Sequence, residues 1–439
     1  MSLRRRDRRA RPRRRGALLA LLVAVAVLDS ATLAGAAVLH ARRLDRVSGS
    51  NAVSAPSLDA ADGATGAFTT TIDYAALFSA DGHQVSSEVA WDDDWFFEDP
   101  TSYNHELAHT CAVLSAVANA ESAYYQQGSS VPAYAEHALA QLGFDEVCTD
   151  SYRYRSEVLD EVLGVVEGND VVAYTLATKR VRSSVTGEEK LLTVVAVRGS
   201  YGSEWLSNAR LGDGSSDDGD HLGFTLAARE IAADLEERAA SDDSGLERVY
   251  LFCGHSRGGA VASLLGSYAD DAASGTHALT SADDVYAYAF ATPRCTTAAD
   301  ARDARYDNVF NVLNPSDVVP MLLPAAWGYD RYGRDVWLPA LDGTSTRGAE
   351  RAGAMGEAYA RTMGSACPCE PGDRAAAEAL VAGVVAGASG PDELLTPSGL
   401  SGLATSCLGA DWGQLLTNHY PNTYIAWLEA TSVGDLTFS

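Results

Sequence analysis

The feature that most constrains this chain is a glycine-rich turn set between a predicted strand and a predicted helix. The turn reads Gly254-His255-Ser256-Arg257-Gly258, which has the pattern G-x-S-x-G. The apolar run Arg248–Cys253 before it predicts a buried strand, and Ala260–Tyr268 after it predicts a helix. A sharp turn of this kind lifts a serine hydroxyl above the edge of a sheet, and flanking glycines avoid a Cβ clash. The alternative is a helix N-terminus in which Ser256 is only an N-cap.

Further strands and helices alternate along the chain and predict an α/β domain with a mostly parallel sheet flanked by helices. The predicted strands are Asp170–Ala177, Leu191–Val197, Val285–Ala291 and Asn308–Asn314, the first two forming a hairpin. The predicted helices are 103–125, 131–142 and 224–240. Residues 348–388 are rich in alanine and predict helices interrupted by Cys-Pro-Cys-Glu-Pro-Gly.

A serine hydroxyl is a poor nucleophile at neutral pH and needs a base that is oriented by an acid. On this architecture the chain order is serine, acid, histidine. His419 is the one histidine after position 277, and Asp317 directly follows a predicted strand, so these two residues are the candidates. The alternatives are an Asx turn at Asp317 and a surface residue near a helix start at His419.

Acyl transfer also requires backbone amides that stabilise an oxyanion. The amide of Arg257, directly after the serine, is one candidate donor. Ser200, which ends the segment Val197-Arg198-Gly199-Ser200 after a predicted strand, is the other candidate. From spacing alone, an ordinary strand-terminating turn fits Ser200 equally well.

Taken together, these motifs and their order resemble the class 3, fungal-type, lipases over roughly residues 100–430. The motifs are V-R-G-S at 197–200 with Trp205, H-L-G-F at 221–224, G-H-S-R-G-G-A at 254–260, A-F-A-T-P-R at 289–294, Asn311 through Asp317 to Pro320, and His419. The resemblance implies an α/β-hydrolase fold and hydrolysis of lipid esters. It implies Ser256 as nucleophile, Asp317 as acid, His419 as base, Ser200 and Arg257 as oxyanion donors, and Gly254, His255 and Gly258 as the nucleophile elbow. No metal or organic cofactor is expected.

Three departures from the family pattern bear on the substrate. Arg257 stands where the family often has leucine, and an acidic loop at 211–220 stands where fungal members carry a short apolar lid. The interval between Asp317 and His419 is enlarged, and residues 320–418 are expected to hold a helical insertion that caps the pocket. Triacylglycerols, phospholipids and smaller esters all remain open as substrates.

The first 44 residues predict a targeting segment, followed by a small, polar linker at 45–70 and the hydrolase-like domain at 71–439. Nine arginines lie between Arg4 and Arg15, and a thirteen-residue apolar run, Gly16–Leu28, follows them. A cleaved signal peptide fits this pattern. A retained membrane anchor spanning residues 16–39 fits it as well, if Asp29 is tolerated. Both interpretations place the body outside the cytoplasm, attached to the membrane or secreted.

Charge and cysteine content limit the partners. Residues 51–439 carry 21 basic and 56 acidic side chains, so nucleic-acid binding is not expected.

Seven cysteines are present, and a disulfide among Cys367, Cys369 and Cys407 is compatible with export, although connectivity cannot be deduced. The sequence leaves the oligomeric state open.

Two rival functions remain. His105-Glu106-Leu107-Ala108-His109 matches H-E-x-x-H on a predicted helix, which is typical of zinc proteases with Glu106 as the base. No third ligand motif follows it. The other rival is a hydrolase fold that only binds a surface and does not catalyse, against which the complete set of serine, acid and histidine argues.

Overall fold

The strands and helices of the chain alternate as the sequence predicts. The computed structural model describes residues 64–76, 84–126, 134–150, 173–199, 219–273, 279–341, 345–390, 393 and 410–439. The strands are β1 Phe68–Ala75, β2 Gln84–Trp91, β3 Asp145–Asp150, β4 Tyr174–Arg182, β5 Glu189–Val197, β6 Glu247–His255, β7 Val285–Phe290, β8 Val309–Leu313, β9 Arg334–Trp337 and β10 Thr437–Phe438. The helices are α1 His105–Gln126, α2 Tyr134–Gln141, α3 Leu222–Ser241, α4 Arg257–Ala272, α5 Thr346–Met363, α6 Asp373–Gly387, α7 Trp412–Thr417 and α8 Pro421–Ala430.

Eight of the strands form one mostly parallel sheet in the order β10-β9-β8-β7-β6-β5-β4-β3. Strands β5 to β9 run parallel to one another, whereas β3 and β4 at one edge and β10 at the other pair antiparallel. The predicted hairpin is confirmed, because β4 pairs with β5 from Tyr174 opposite Val197 to Arg182 opposite Glu189. Because the carboxyl ends of parallel strands meet at one edge, the turns after β5, β6 and β8 lie close together.

Helices cover both faces of the sheet, and the alternation along β6 shows how. Val249, Leu251 and Cys253 are fully buried in the cluster that includes α1 and α8. Tyr250 and Phe252 are buried in the opposite cluster, with α3 and α4. Successive side chains of a strand point to opposite faces, so a continuous apolar run is what a strand covered on both sides requires.

A second, two-stranded sheet formed by β1 and β2 was not predicted. Its first strand begins at Phe68, so residues 68–70, assigned to the linker, are part of a strand. Ile72, Tyr74, Val85 and Val89 are buried beside α1, while Asp73, Ser86 and Glu88 on the opposite face of β1 and β2 are exposed. This alternation is typical of an antiparallel pair of strands with one buried face. The first of the two strands begins within the predicted linker, residues 45–70.

The range 320–418 does not consist only of an added cap, because β9 lies within it and is part of the main sheet. The helices that follow β9 are the predicted alanine-rich ones. Helix α5 packs on α8 and β2, and α6 packs on α7. In a third apolar cluster, Ala377 and Leu380 of α6 contact Val318 and Val319, so α6 covers the turn after Asp317.

The N-terminal targeting segment, residues 1–44, lies outside the described residues, as do Trp205, residues 211–218 of the acidic loop and Cys407. Within the described ranges, none of the helices has the length and apolar character needed to cross a membrane.

Candidate active site

The turn between β6 and α4 holds Ser256 in a backbone conformation that few non-glycine residues adopt. Its φ is 61° and its ψ is −126°. Such a strained conformation persists only where the surrounding structure enforces it. Two glycines make the turn possible, because a Cβ on Gly254 would lie 2.2 Å from the carbonyl oxygen of Gly258, and a Cβ on Gly258 would lie 2.2 Å from that of Val197. The Ser256 side chain makes no capping hydrogen bond to α4, which argues against the N-cap alternative.

The structure brings Ser256, His419 and Asp317 together, although they are far apart in the sequence. His419 Nε2 lies 3.0 Å from Ser256 Oγ, and His419 Nδ1 lies 2.8 Å from Asp317 Oδ2. All three side chains are buried, and Asp317 is fully so. This chain of hydrogen bonds has the geometry by which a histidine takes a proton from a serine while a carboxylate orients the ring.

Asp317 has two further partners, which hold its carboxylate in place. Oδ1 accepts a hydrogen bond from the amide of Val319 at 2.9 Å, as in an Asx turn. Oδ2 accepts a second hydrogen bond, at 2.8 Å, from the hydroxyl of Tyr424 on α8. Burial, reinforced by the charge of Asp317, holds the pKa of Tyr424 well above its usual value, so the phenol stays protonated and able to donate. No motif around Tyr424 had indicated this role.

A buried asparagine connects the turn of Asp317 to the turn of His419. Asn314 Nδ2 donates to the carbonyl oxygen of Asn418 at 3.0 Å, and Asn314 Oδ1 accepts from the amide of Ser316 at 3.0 Å. On the other side, Asn418 Nδ2 donates to Asp373 at the start of α6, at 2.6 Å. The segment between α7 and α8 that carries His419 is therefore fixed both to the sheet edge and to the inserted helices.

His255, beside the serine, contacts His419 in two ways. Its Nε2 lies 2.6 Å from the carbonyl oxygen of His419, and the two rings lie 4.7 Å apart. Tyr424 packs edge-on against the ring of His255, with the two ring centroids 5.8 Å apart. Burial, with a smaller contribution from His419, lowers the pKa of His255 well below its usual value. His255 is therefore neutral, and its Nε2–H donates to the backbone of His419.

Of the two predicted oxyanion donors, one can be placed. Arg257 opens α4, and the first amides of an α-helix have no intrahelical acceptor. Ser200 lies outside the described residues. Its neighbour Gly199 is close to the turn, since a Cβ there would lie 3.4 Å from Ser256 Cβ. The Gly199 amide donates to Oδ1 of Asn119 on α1 at 2.8 Å, so Asn119, which the sequence did not single out, anchors this loop.

The H-E-x-x-H segment forms part of α1, and its histidines face α8. His105 Nε2 lies 2.9 Å from the carbonyl oxygen of Leu428, and His109 Nε2 lies 3.6 Å from Glu429 Oε1. Glu106 is exposed. No cluster of three or more potential metal ligands occurs among the residues that the model describes. The two histidines thus connect α1 to α8, and no observation favours the zinc protease.

The family model Lipase (class 3) matches residues 194–327. The resemblance to class 3 lipases is confirmed. The matched segment contains Ser256 and Asp317 and ends before His419. The match supports the predicted enzyme class, a carboxylic ester hydrolase of the lipase type.

Several solved structures are similar to the chain. The triacylglyceride lipase of Rhizomucor miehei is 18% identical, with 54% of this chain and 82% of that chain covered and a TM-score of 0.37. A lipase from Rhizopus microsporus var. chinensis is 16% identical, with 53% and 74% covered and a TM-score of 0.35. A variant of MDLA from Penicillium cyclopium is 21% identical, with 55% and 83% covered and a TM-score of 0.34. No curated protein matches the chain.

The class 3 lipase segment covers the parallel strands β6 to β8 and the turns that follow β6 and β8. Helices α5 to α8, together with His419 and Tyr424, lie beyond it. The matched segment therefore contributes Ser256 and Asp317, whereas His419 comes from the part of the chain beyond it.

Proposed function

We propose that this chain hydrolyses carboxylic esters of lipids outside the cytoplasm, with Ser256, His419 and Asp317 as its catalytic residues. The observation that carries the proposal is the continuous hydrogen-bond chain from Ser256 Oγ through the ring of His419 to Asp317. The class 3 lipase match supports the reaction class. The basic, then apolar, N-terminus supports export, with membrane attachment if the segment is retained.

In the proposed reaction, His419 Nε2 removes the proton of Ser256 as the oxygen attacks the ester carbonyl carbon. The Asp317 carboxylate accepts a hydrogen bond from Nδ1–H of His419. This hydrogen bond selects the productive tautomer and stabilises the imidazolium that forms. The amides of Arg257 and Ser200 are proposed to hold the oxyanion. His419 then protonates the leaving alcohol, and water attacks the acyl-enzyme by the same sequence of proton transfers.

The proposal that the substrate is a lipid ester is tested by the acyl chain length that the enzyme prefers. Hydrolysis by the full chain would be measured on p-nitrophenyl esters from acetate to palmitate. Activity that peaks at long acyl chains supports a lipid ester as substrate, whereas a peak at acetate or butyrate contradicts that part of the proposal.

The role of Ser256 is tested by Ser256→Ala, which we expect to lower kcat at least about a thousandfold. The matched control is Ser263→Ala on the same helix. Ser263 is buried, and its hydroxyl has no hydrogen-bond partner among the described residues, so its loss should leave kcat unchanged. A serine-reactive phosphonate should label the native chain and the control but not Ser256→Ala. Full activity in Ser256→Ala would refute the proposal.

A further inference from the structure

Two cysteines lie beside the segment that carries His419. Cys367 and Cys369, between α5 and α6, are both half-buried and both carry free thiols. The Sγ of Cys369 lies 3.8 Å from Thr417 Oγ1 and 4.0 Å from Thr423 Oγ1. Thr417 ends α7 and Thr423 lies in the first turn of α8, so the two threonines lie on either side of His419.

Only Pro368 separates the two cysteines, and the interaction between their side chains is the largest influence on the pKa of each thiol. Residues two apart in a chain cannot have Cα atoms separated by more than about 7 Å. A disulfide accommodates Cα separations up to about 6.8 Å. The Cys-Pro-Cys spacing therefore keeps the two Cα atoms within or close to the separation that a disulfide spans.

The environment also favours reactivity at Cys367. Interaction with the neighbouring Cys369 thiol lowers the pKa of Cys367 to about 7, so a large part of it is thiolate at neutral pH. The same contact, together with burial, raises the pKa of Cys369, which remains a thiol. A partly exposed thiolate beside a second thiol is the arrangement found in cysteines that react with disulfides.

We propose that Cys367 and Cys369 form a redox-active dithiol that exchanges with small disulfide oxidants. The Cys367 thiolate attacks one sulfur of the oxidant, which forms a mixed disulfide and releases one thiolate. Cys369 then loses its proton and attacks Cys367 Sγ, which forms the Cys367–Cys369 bond and releases the second thiol. The two protein thiols lose two electrons in total, and the oxidant gains them.

Formation of this bond changes a contact of the His419 segment. The S–H of Cys369 donates to Thr417 Oγ1, and the disulfide has no S–H to donate. Thr417 is two residues before His419 and also donates to the carbonyl oxygen of Gln414 at 2.6 Å. Loss of one weak hydrogen bond beside the histidine should lower kcat by about two- to fivefold without a change in KM. This consequence, unlike the thiol chemistry, rests on the proposed function.

The test uses the full chain, reduced and then exposed to oxidised glutathione at pH 7, with peptide mass spectrometry as the readout. We expect the peptide that contains both cysteines to lose two hydrogens and to regain them with dithiothreitol. Cys369→Ser should accumulate glutathione on Cys367, whereas Cys367→Ser should form neither product. Cys148→Ser, which removes another partly exposed thiol, should respond like the native chain.

Two results would overturn the dithiol: both cysteines remain open to alkylation after oxidation, or either one pairs with Cys407. Activity separates this proposal from the proposed function. If the disulfide forms and the chain has no Ser256-dependent hydrolysis, the function fails and the dithiol stands. If hydrolysis is normal and equal in the reduced and oxidised chains, the coupling to His419 is wrong.

Discussion

At the scale of single residues, the candidate site depends on side chains that orient other side chains. Tyr424 donates to the same carboxylate oxygen of Asp317 that His419 contacts. His255 donates to the backbone of His419 and packs against its ring at an angle of 45°. Neither residue reaches the Ser256 hydroxyl in the contacts described, so each acts through His419 or Asp317. The effect of removing them should therefore appear in kcat rather than in KM.

The role of His255 can be separated into its hydrogen bond and its ring. His255→Gln can place an amide donor near the position of Nε2, whereas His255→Phe keeps an aromatic ring without a donor. If the hydrogen bond positions His419, His255→Phe should lower kcat about tenfold, the equivalent of one buried hydrogen bond of about 1.4 kcal/mol, and His255→Gln should recover most of it. The measurement is kcat and KM on one ester across a range of pH. A larger loss in His255→Gln than in His255→Phe would show instead that the ring matters more than the hydrogen bond.

At the scale of elements, a buried ion pair connects the segment after the two-stranded β1–β2 sheet to strand β4 of the main sheet. Lys179 on β4 lies with its Nζ 2.9 Å from Asp93 Oδ1 and 3.0 Å from the carbonyl oxygen of Leu142. Asp93 follows β2, and it also accepts from Trp91 Nε1 at 2.9 Å. Burial lowers the pKa of Lys179, while the charge and hydrogen bond of Asp93 oppose that shift. Helix α1, which carries Asn119, packs against β2 and against β5 of the main sheet.

Removal of this lysine should destabilise the fold much more than removal of its neighbour. Lys179→Met leaves the buried Asp93 carboxylate without its cation, which costs about 3–5 kcal/mol of unfolding free energy. Arg180→Met is the matched control, because Arg180 is largely exposed and pairs with Glu189 at the surface. Loss of an exposed pair costs less than about 1 kcal/mol. Urea unfolding of both variants measures the difference, and similar midpoints would contradict this account.

At the scale of the whole molecule, a buried carboxylate makes stability depend on pH. Asp270 lies on α4, and its Oδ1 accepts from Asn308 Nδ2 at 3.0 Å while Oδ2 has no hydrogen-bond partner among the described residues. Burial raises the pKa of Asp270 to about 8. The folded state thus binds a proton that the unfolded state releases near pH 4. Its contribution to stability is fully present below pH 4 and is lost as pH rises through 8.

Asp270→Asn should remove this dependence. The native chain should lose up to about 1.4 kcal/mol of unfolding free energy per pH unit between roughly pH 4 and 8 from this residue alone. The variant keeps the shape without the charge, so its stability should be higher than that of the native chain at pH 8 and should fall less between pH 5 and 8. Chemical unfolding of both chains at several pH values measures the two slopes, and parallel slopes would rule out Asp270 as the cause.

Local patterns in the sequence were enough to predict the strand, the turn and the helix around Ser256, as well as the alternating α/β order. These features depend on short-range properties: burial of β6 on both faces, and glycines where a Cβ would meet a carbonyl oxygen. The order of serine, acid and histidine could also be predicted, because it belongs to the fold class.

Only the tertiary structure decided which distant residues meet. Asp317 and His419 are 102 residues apart, and their contact depends on how α6, α7 and α8 pack against the sheet edge. The partners Tyr424, Asn119 and Asp373 carry no local motif, because a hydrogen bond across such a distance depends on packing and leaves no periodic signal in the sequence. The position of Cys369 beside Thr417 and Thr423 was decided in the same way, because these residues come from separate parts of the chain.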